Sequence, residues 1–306
     1  MPTDTPATSN PAAAAAAASS YYGASLFMRA LRVALATLQR AWPALGVRAA
    51  YRLFGTPLPL KWLNRRHAPG AGWQREAWAF ENASLGVYTP QAASPEAPRV
   101  LLVHGWGGHA GQMLPLAQAL IALGTTPLLL EMPAHGRSPG TASNLPQFVR
   151  AIDYVAARLA LEGTALKAIA AHSLGANALA YAASRGLRAE RLVLLAPPAS
   201  PHAFTRYFAH VFGLSERTRA AMQHRIEARE GILMPLLEPA AVGPRIAQPT
   251  LVVHDRDDRV NRFADGVAYR DAIANARLVA TQALGHRRIL REPSVLQQVA
   301  AFISKA

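Results

Sequence analysis

Six short apolar runs constrain this chain more than anything else in it: RVLLVH (99–104), PLLLEM (127–132), LKAIAA (166–171), RLVLLA (191–196), TLVVHD (250–255) and ARLVAT (276–281). Each is nearly continuous in apolar residues and too short for an ordinary helix. That pattern fits strands covered on both faces. Four of the five gaps between them carry helix-like stretches, and the fourth gap is a longer insertion. Short buried strands alternating with helices predict an α/β fold, a mostly parallel sheet flanked by helices. Upstream, EAWAF (76–80) and LGVYT (85–89) flank the turn-forming ENAS and predict an antiparallel hairpin.

The interval 197–248 is too long for a simple crossover. Ser200-Pro201 reads as an N-cap and first helical residue, Ser215 as a second helix start, and Gly231 as its end. A small helical cap over 200–245 is therefore expected. Phe204, Phe208 and Phe212 would turn an aromatic face toward what it covers, which points to an apolar substrate or simply to the cap's own core. The α/β core then comprises 73–199 and 246–306. Before it, residues 1–20 are low in complexity and read as a disordered leader. Residues 21–72 form a basic helical extension. Within it, 24–42 has the spacing of an amphipathic helix, with Phe27, Leu31, Leu35, Leu38 and Trp42 on one face. Such a helix either covers an apolar patch of the main domain or, through residues 24–66, touches an anionic membrane.

Composition removes several chemistries. The chain has no cysteine, which excludes disulfides, thiolate metal sites and a cysteine nucleophile. Its net charge is +14, and all but three of its 32 basic residues are arginine. Residues 1–75 hold nine of them against one acid, Asp4. No recognition motif accompanies that charge, so nucleic acid is not an expected partner. No secretory signal and no run of 18 uncharged apolar residues is present. The expected location is cytoplasmic, with peripheral membrane contact as the other option; oligomeric state is not legible.

The candidate chemistry follows the strands. Ala171-His172-Ser173-Leu174-Gly175 stands between an apolar strand and a helix-like stretch. A serine on a tight strand-to-helix turn exposes its hydroxyl and needs small neighbours. Earlier, His104-Gly105-Trp106-Gly107-Gly108 ends another strand, where a glycine-rich turn lets backbone N–H groups face a site. Later, Asp255, Asp257 and Asp258 follow a strand in HDRDD, each a candidate carboxylate. His286 comes in the last strand-to-helix loop, after both serine and acid. The order Ser…Asp…His differs from that of unrelated serine hydrolases.

HGWGG (104–108), EMPAHGRS (131–138), AHSLG (171–175), HDRDD (254–258) and GHRRIL (285–290), in this order, resemble the α/β-hydrolase superfamily, in particular its capped lipase- or esterase-like serine hydrolases. The resemblance runs from about Arg99 to the C-terminus. It implies Ser173 as nucleophile, His286 as base then acid, and Asp258 as the orienting carboxylate. It also implies an oxyanion hole from the backbone N–H groups of Trp106 and Leu174, with no cofactor and no metal. His104 and His172 become structural neighbours, and Glu131 stands where the family's loop usually has aspartate. The implied activity is cleavage of an ester-like acyl bond in a small molecule through an acyl-enzyme. A thioesterase, peptidase or acyltransferase of the same fold, or a non-catalytic membrane-surface or binding protein, are the alternatives.

Overall fold

The computed structural model describes residues 26–58, 61, 65–94 and 96–305; the side chains of Phe27 and Arg65 lie outside that set. The expected leader over 1–20 falls outside the described residues.

Eight strands form one sheet. β1 (Trp73–Phe80) and β2 (Ala83–Pro90) make the expected hairpin, joined by Glu81 and Asn82. β3 (Arg99–Val103), β4 (Thr126–Glu131), β5 (Leu166–His172), β6 (Arg191–Leu195), β7 (Thr250–Asp255) and β8 (Ala276–Thr281) fall on the six apolar runs. The spatial order is β1-β2-β4-β3-β5-β6-β7-β8, parallel from β4 to β8 and antiparallel where β2 meets β4 and β1. β3 therefore lies between β4 and β5: the chain winds outward one way to β4 and the other way from β5. Such a reversal leaves a crevice at the carboxyl ends of the two central strands.

The reason for two-sided apolar strands is visible in β3. Leu101 and Val103 point into one buried cluster while Val100 and Leu102 point into another. α4 (Leu145–Leu161) and α5 (Leu174–Ser184) cover the first face through Phe148, Val155, Leu159 and Leu179. α3 (Leu114–Ile121) and α11 (Pro293–Ser304) cover the second through Leu116, Leu120, Val295 and Val299. α9 (Phe263–Ala272) packs beside β7 and β8, and the one-turn α10 (Gly285–Arg288) after β8 carries His286.

The cap follows β6. α6 (Pro201–Phe212) and α7 (Glu216–Glu230) are each capped at the N-terminus by a serine: Ser200 Oγ accepts from Ala203 N–H and Ser215 Oγ from Thr218 N–H. Gly213 and Gly231 end them in the left-handed conformation that glycine adopts without strain. The short α8 (Pro239–Val242) leads back to the sheet.

The N-terminal extension behaves otherwise than expected. α1 (Leu26–Ala41) and α2 (Pro43–Phe54) pack on the cap rather than on the main domain. A third cluster joins Leu35 and Ala50 to Phe208, Phe212, Met222, Ile226 and Met234. Gln39 pins the joint, donating from Nε2 to Gly213 O (2.8 Å) and accepting from Ser215 N–H (2.8 Å), the two ends of the turn between the cap helices. The apolar spacing predicts Trp42 on the packed face, yet it is 61% exposed. The helical period stops at Ala41; Trp42 is the non-helical N-cap of α2 (φ −140°, ψ 81°), so its side chain leaves the stripe. The position of Phe27 on that face lies outside the described side chains.

Candidate active site

The crevice between β3 and β5 holds Ser173. The backbone turns from β5 into α5 at this residue with φ 54° and ψ −125°, a strained conformation for a non-glycine residue that costs on the order of 1–3 kcal/mol. Close packing holds it there. A Cβ at Gly105 would lie 2.7 Å from Ser173 Cβ, and one at Gly175 would lie 2.6 Å from His104 O. Ala171, where glycine is usual in the resembled motif, is fully buried and paired to Val103 and Leu194, so the core absorbs its methyl.

Ser173, His286 and Asp258 come together from three loops. Ser173 Oγ lies 3.0 Å from His286 Nε2, and His286 Nδ1 lies 2.7 Å from Asp258 Oδ2. A carboxylate only accepts, so Nδ1–H donates to Asp258 and Nε2 is left to accept from the serine hydroxyl. All three residues are buried. Burial alone would raise the Asp258 pKa, but hydrogen bonds from His254 and His286, with the backbone N–H of Val260, hold it well below the usual carboxylate range. The carboxylate is thus ionised beside the imidazole at neutral pH.

The rival acids have other tasks. Asp255 accepts from Thr281 Oγ1 (2.7 Å), Gly285 N–H (2.8 Å), Asp257 N–H (3.0 Å) and Leu284 N–H (3.1 Å), and so ties the loop preceding His286 to the end of β7. Those bonds outweigh burial and lower its pKa. Asp257 accepts from Ala283 N–H (2.8 Å) in the same loop.

Three other histidines are scaffold. His104 Nδ1–H donates to Gly105 O (2.7 Å) and Nε2 accepts from Met132 N–H (3.1 Å). His135 Nδ1–H donates to Pro133 O (2.8 Å) and Nε2 accepts from Gly107 N–H (3.0 Å), shaping the glycine-rich turn. His172 Nε2–H donates to His286 O (2.9 Å), and its ring packs on His286 at 4.6 Å. Burial pushes the pKa of His135 down to about 4 and that of His172 to about 3, so both rings are neutral at neutral pH. Glu131 is buried, bonding Tyr88 OH (3.1 Å), Arg137 N–H (2.7 Å) and Ala110 N–H (3.3 Å) away from Ser173.

Trp106 stands in the turn after β3 and lines, with Leu174, the pocket that contains Ser173. Leu174 is the first residue of α5, where backbone N–H groups have no acceptor within the helix.

A model of the family described as serine aminopeptidase, S33, matches residues 94–234. That span runs from just before β3 into the cap and includes Ser173 but not Asp258 or His286. Over that span the chain is similar to this family, and its fold is that of the α/β-hydrolases. Solved structures share this hydrolase's fold. An Acinetobacter baumannii protein described as a putative lipase matches at 15% identity and TM-score 0.58, covering 80% of this chain and 96% of its own. An esterase of Pyrococcus furiosus matches at 16% and 0.59, covering 78% and 94%. A bacterial membrane phospholipase A matches at 20% and 0.57, covering 90% and 99%. No curated protein sequence matches the chain.

The pocket of this α/β-hydrolase lies between the sheet and the cap. Trp106, Leu145, Leu174, Phe204, Ile232 and Leu237 give it an apolar lining, and Phe54 reaches in from α2. Of the three cap phenylalanines, only Phe204 lines it; Phe208 and Phe212 are buried against the extension. Among the described residues no cluster of three His, Asp or Glu side chains is arranged to hold a metal ion.

Sequence reasoning missed Asn261. Its Nδ2 donates to Ala196 O (2.7 Å) and lies 3.4 Å from Ser173 Oγ, while its backbone N–H donates to Asp258 Oδ1 (3.0 Å). The residue touches both Ser173 and Asp258. An asparagine three residues past the acid was the available signal, but asparagine is common in loops.

Proposed function

We propose that this α/β-hydrolase cleaves an ester-like acyl bond through Ser173, His286 and Asp258. The observation that carries the reading is the unbroken contact from hydroxyl to imidazole to carboxylate, at 3.0 and 2.7 Å. Serine is a weak nucleophile until a base takes its proton. As Ser173 Oγ bonds to the carbonyl carbon, its proton passes to His286 Nε2. The oxyanion is held by the N–H groups of Trp106 and Leu174, where α5's N-terminus favours negative charge. The C–O bond breaks and His286 hands its proton to the leaving alcohol. Water then attacks the acyl-enzyme, giving a proton to His286, which returns one to Ser173 as the acid leaves. The apolar pocket favours an acyl group over a charged peptide, and lipase and esterase relatives of the same fold accord with that.

The test is hydrolysis of short p-nitrophenyl esters together with labelling by a fluorophosphonate probe. Ser173→Ala is expected to abolish labelling and to lower kcat by about 10⁴-fold or more. A mutant that labels fully at another residue would remove the assignment.

A specific surface adds a second reading, that the enzyme works against an anionic lipid surface. On α1, Leu26, Arg29, Val33, Thr37 and Arg40 follow steps of three and four, which places them on one face. That face looks away from the cap: Leu26 is 82% and Val33 65% exposed, with Trp42 and Leu45 exposed beyond it. Apolar side chains interleaved with arginines suit the interface of acidic lipids. The phospholipase relative is described as a membrane protein, which accords with this reading. Among the described residues no helix is long and apolar enough to cross a membrane. The full chain should sediment with phosphatidylglycerol vesicles and not with phosphatidylcholine vesicles. Val33→Glu with Trp42→Glu should release it; retention by that variant removes the surface from the account.

A further inference from the structure

Resting on the hydrolase reading, we propose that the natural leaving group carries an anion, a phosphate or a carboxylate, held by Arg259 and Arg287 in a second cavity that His286 lines. In that reading the substrate parts at Ser173. His286 hands its proton to the departing oxygen, so that oxygen must come within hydrogen-bond reach of His286 Nε2. The two halves of the substrate therefore meet different surroundings. The apolar pocket suits the acyl half; Ser173 lines it and His286 does not.

The second cavity, of about 550 Å³, lies between the loops that follow β7 and β8, and His286 is among its lining residues. His286 Nε2 is in turn 3.0 Å from Ser173 Oγ. The same loops deliver Asp258 and His286, and the next residue of each is an arginine, Arg259 and Arg287, both lining the cavity. Each arginine Cα is thus about 3.8 Å from that of its neighbour in the site. Arg287 also acts on the site electrically. Burial is the main cause of the low pKa of His172, whose ring packs on His286 at 4.6 Å, and the positive charge of Arg287 adds to it.

Three of the nine lining residues are arginine, against one acid, Asp257. Arg288 is spent on its own loop, donating to Leu284 O (2.9 Å) and to Ala283 O. Asp257 accepts from Ala283 N–H (2.8 Å) and forms no ion pair among the described residues. The neighbouring arginines of the β7 loop are engaged as well: Arg256 lies over the Phe263 ring at 4.6 Å, and Arg262 bonds Asp265 at 3.4 Å. Arg259 and Arg287 differ. Both are exposed, and neither makes a hydrogen bond or an ion pair among the described residues. A guanidinium presents paired donors that match the oxygens of phosphate and carboxylate. A neutral leaving group would draw nothing from them.

The experiment measures kcat/KM of the full-length chain at low ionic strength, where exposed charges act most strongly. Two pairs of octanoyl esters each share the acyl group and differ in leaving-group charge. One pair is 1-octanoylglycerol 3-phosphate against 1-octanoylglycerol; the other is 4-carboxyphenyl octanoate against 4-methoxycarbonylphenyl octanoate. The anionic ester of at least one pair is expected to be favoured by about 10-fold or more, and the pair that shows it tells phosphate from carboxylate. Arg259→Gln with Arg287→Gln should bring that ratio close to one. Arg217→Gln with Arg270→Gln removes the same charge from exposed positions outside the cavity lining and should leave the ratio intact. No preference for the anion in either pair, in a chain whose Ser173 labels with fluorophosphonate, overturns the anion site and leaves the hydrolase reading standing. A preference that survives in the labelled Arg259/Arg287 variant, or falls equally in the Arg217/Arg270 variant, overturns the assignment to this cavity. A wild-type chain that neither labels nor cleaves any of the four esters overturns both readings.

Discussion

The rim that carries Ser173, Asp258 and His286 and the lid over it are held together in different ways. At the rim, position comes from backbone and polar contacts: a serine held in a strained turn by two glycines, a carboxylate gripped from several sides, and a histidine loop laced to Asp255 by Thr281 Oγ1 and two backbone N–H groups. The outer lid, α1, α2, α6 and α7, is joined by a small apolar cluster and hydrogen bonds through Gln39, and Glu230 at the end of α7 ties it to Asn144 and Arg150 of the core. The rim is also continuous with the two large clusters on either side of the sheet, while the lid's cluster is separate from them. Chemistry needs placement to fractions of an ångström, and directional bonds supply it. Substrate entry needs a surface that can part from what it covers, and a separate apolar contact allows that.

The sharpest way to break this contrast lies within the rim, between its two neighbouring aspartates. Asp258→Asn removes the ionised partner of His286 Nδ1–H and favours the wrong tautomer, so kcat should fall by about 10⁴-fold with little change in fold. Asp255→Asn keeps the triad's own contacts but loosens the loop preceding His286. Its carboxylate accepts four hydrogen bonds, and weakening one or two should cost roughly 1–3 kcal/mol of stability, with a much smaller fall in kcat. Thermal melting and ester hydrolysis on both variants separate the roles. If Asp255→Asn lost as much activity as Asp258→Asn at unchanged melting temperature, the division between orienting acid and loop brace would be wrong.

How much of this was legible beforehand follows the same division. The parallel strands could be read because burial on both faces leaves no room for polar residues, as Val100 to Val103 illustrate. Ser173, Asp258 and His286 could be singled out because the fold delivers strand-end loops to one edge, and their types carry recognisable chemistry. The serine caps at 200 and 215 and the glycine at 231 were visible for a local reason: each satisfies a backbone need at its own position. What the α1 stripe packs against was not legible, because periodicity marks a face without naming its cover. Trp42 was misplaced when a helical period was extended one residue beyond its helix. Asn261 left no trace either, since its meaning here depends on a carbonyl 65 residues away in sequence.

A smaller perturbation tests the lid. Phe208 is buried where α6 meets the extension, edge-on to Phe54 at 5.1 Å and against Phe212 at 4.5 Å. Phe208→Ala removes the shared ring of a cluster with few members, and such truncations cost about 3–5 kcal/mol in a packed core. In the large sheet clusters a loss of that size is shared by the whole cooperative unit. In the lid it should appear locally, because α1 and α2 meet the cap through this one cluster. Hydrogen exchange should therefore quicken in α1, α2, α6 and α7 while β5 and β7 keep their protection. Ser173 should still label with a small probe, and cleavage of long acyl esters should fall more than that of short ones, since Phe54 lines the pocket and leans on Phe208. Equal loss of protection in the sheet and the lid would mean that the two regions unfold as one, and the contrast between rim and lid would have to be given up.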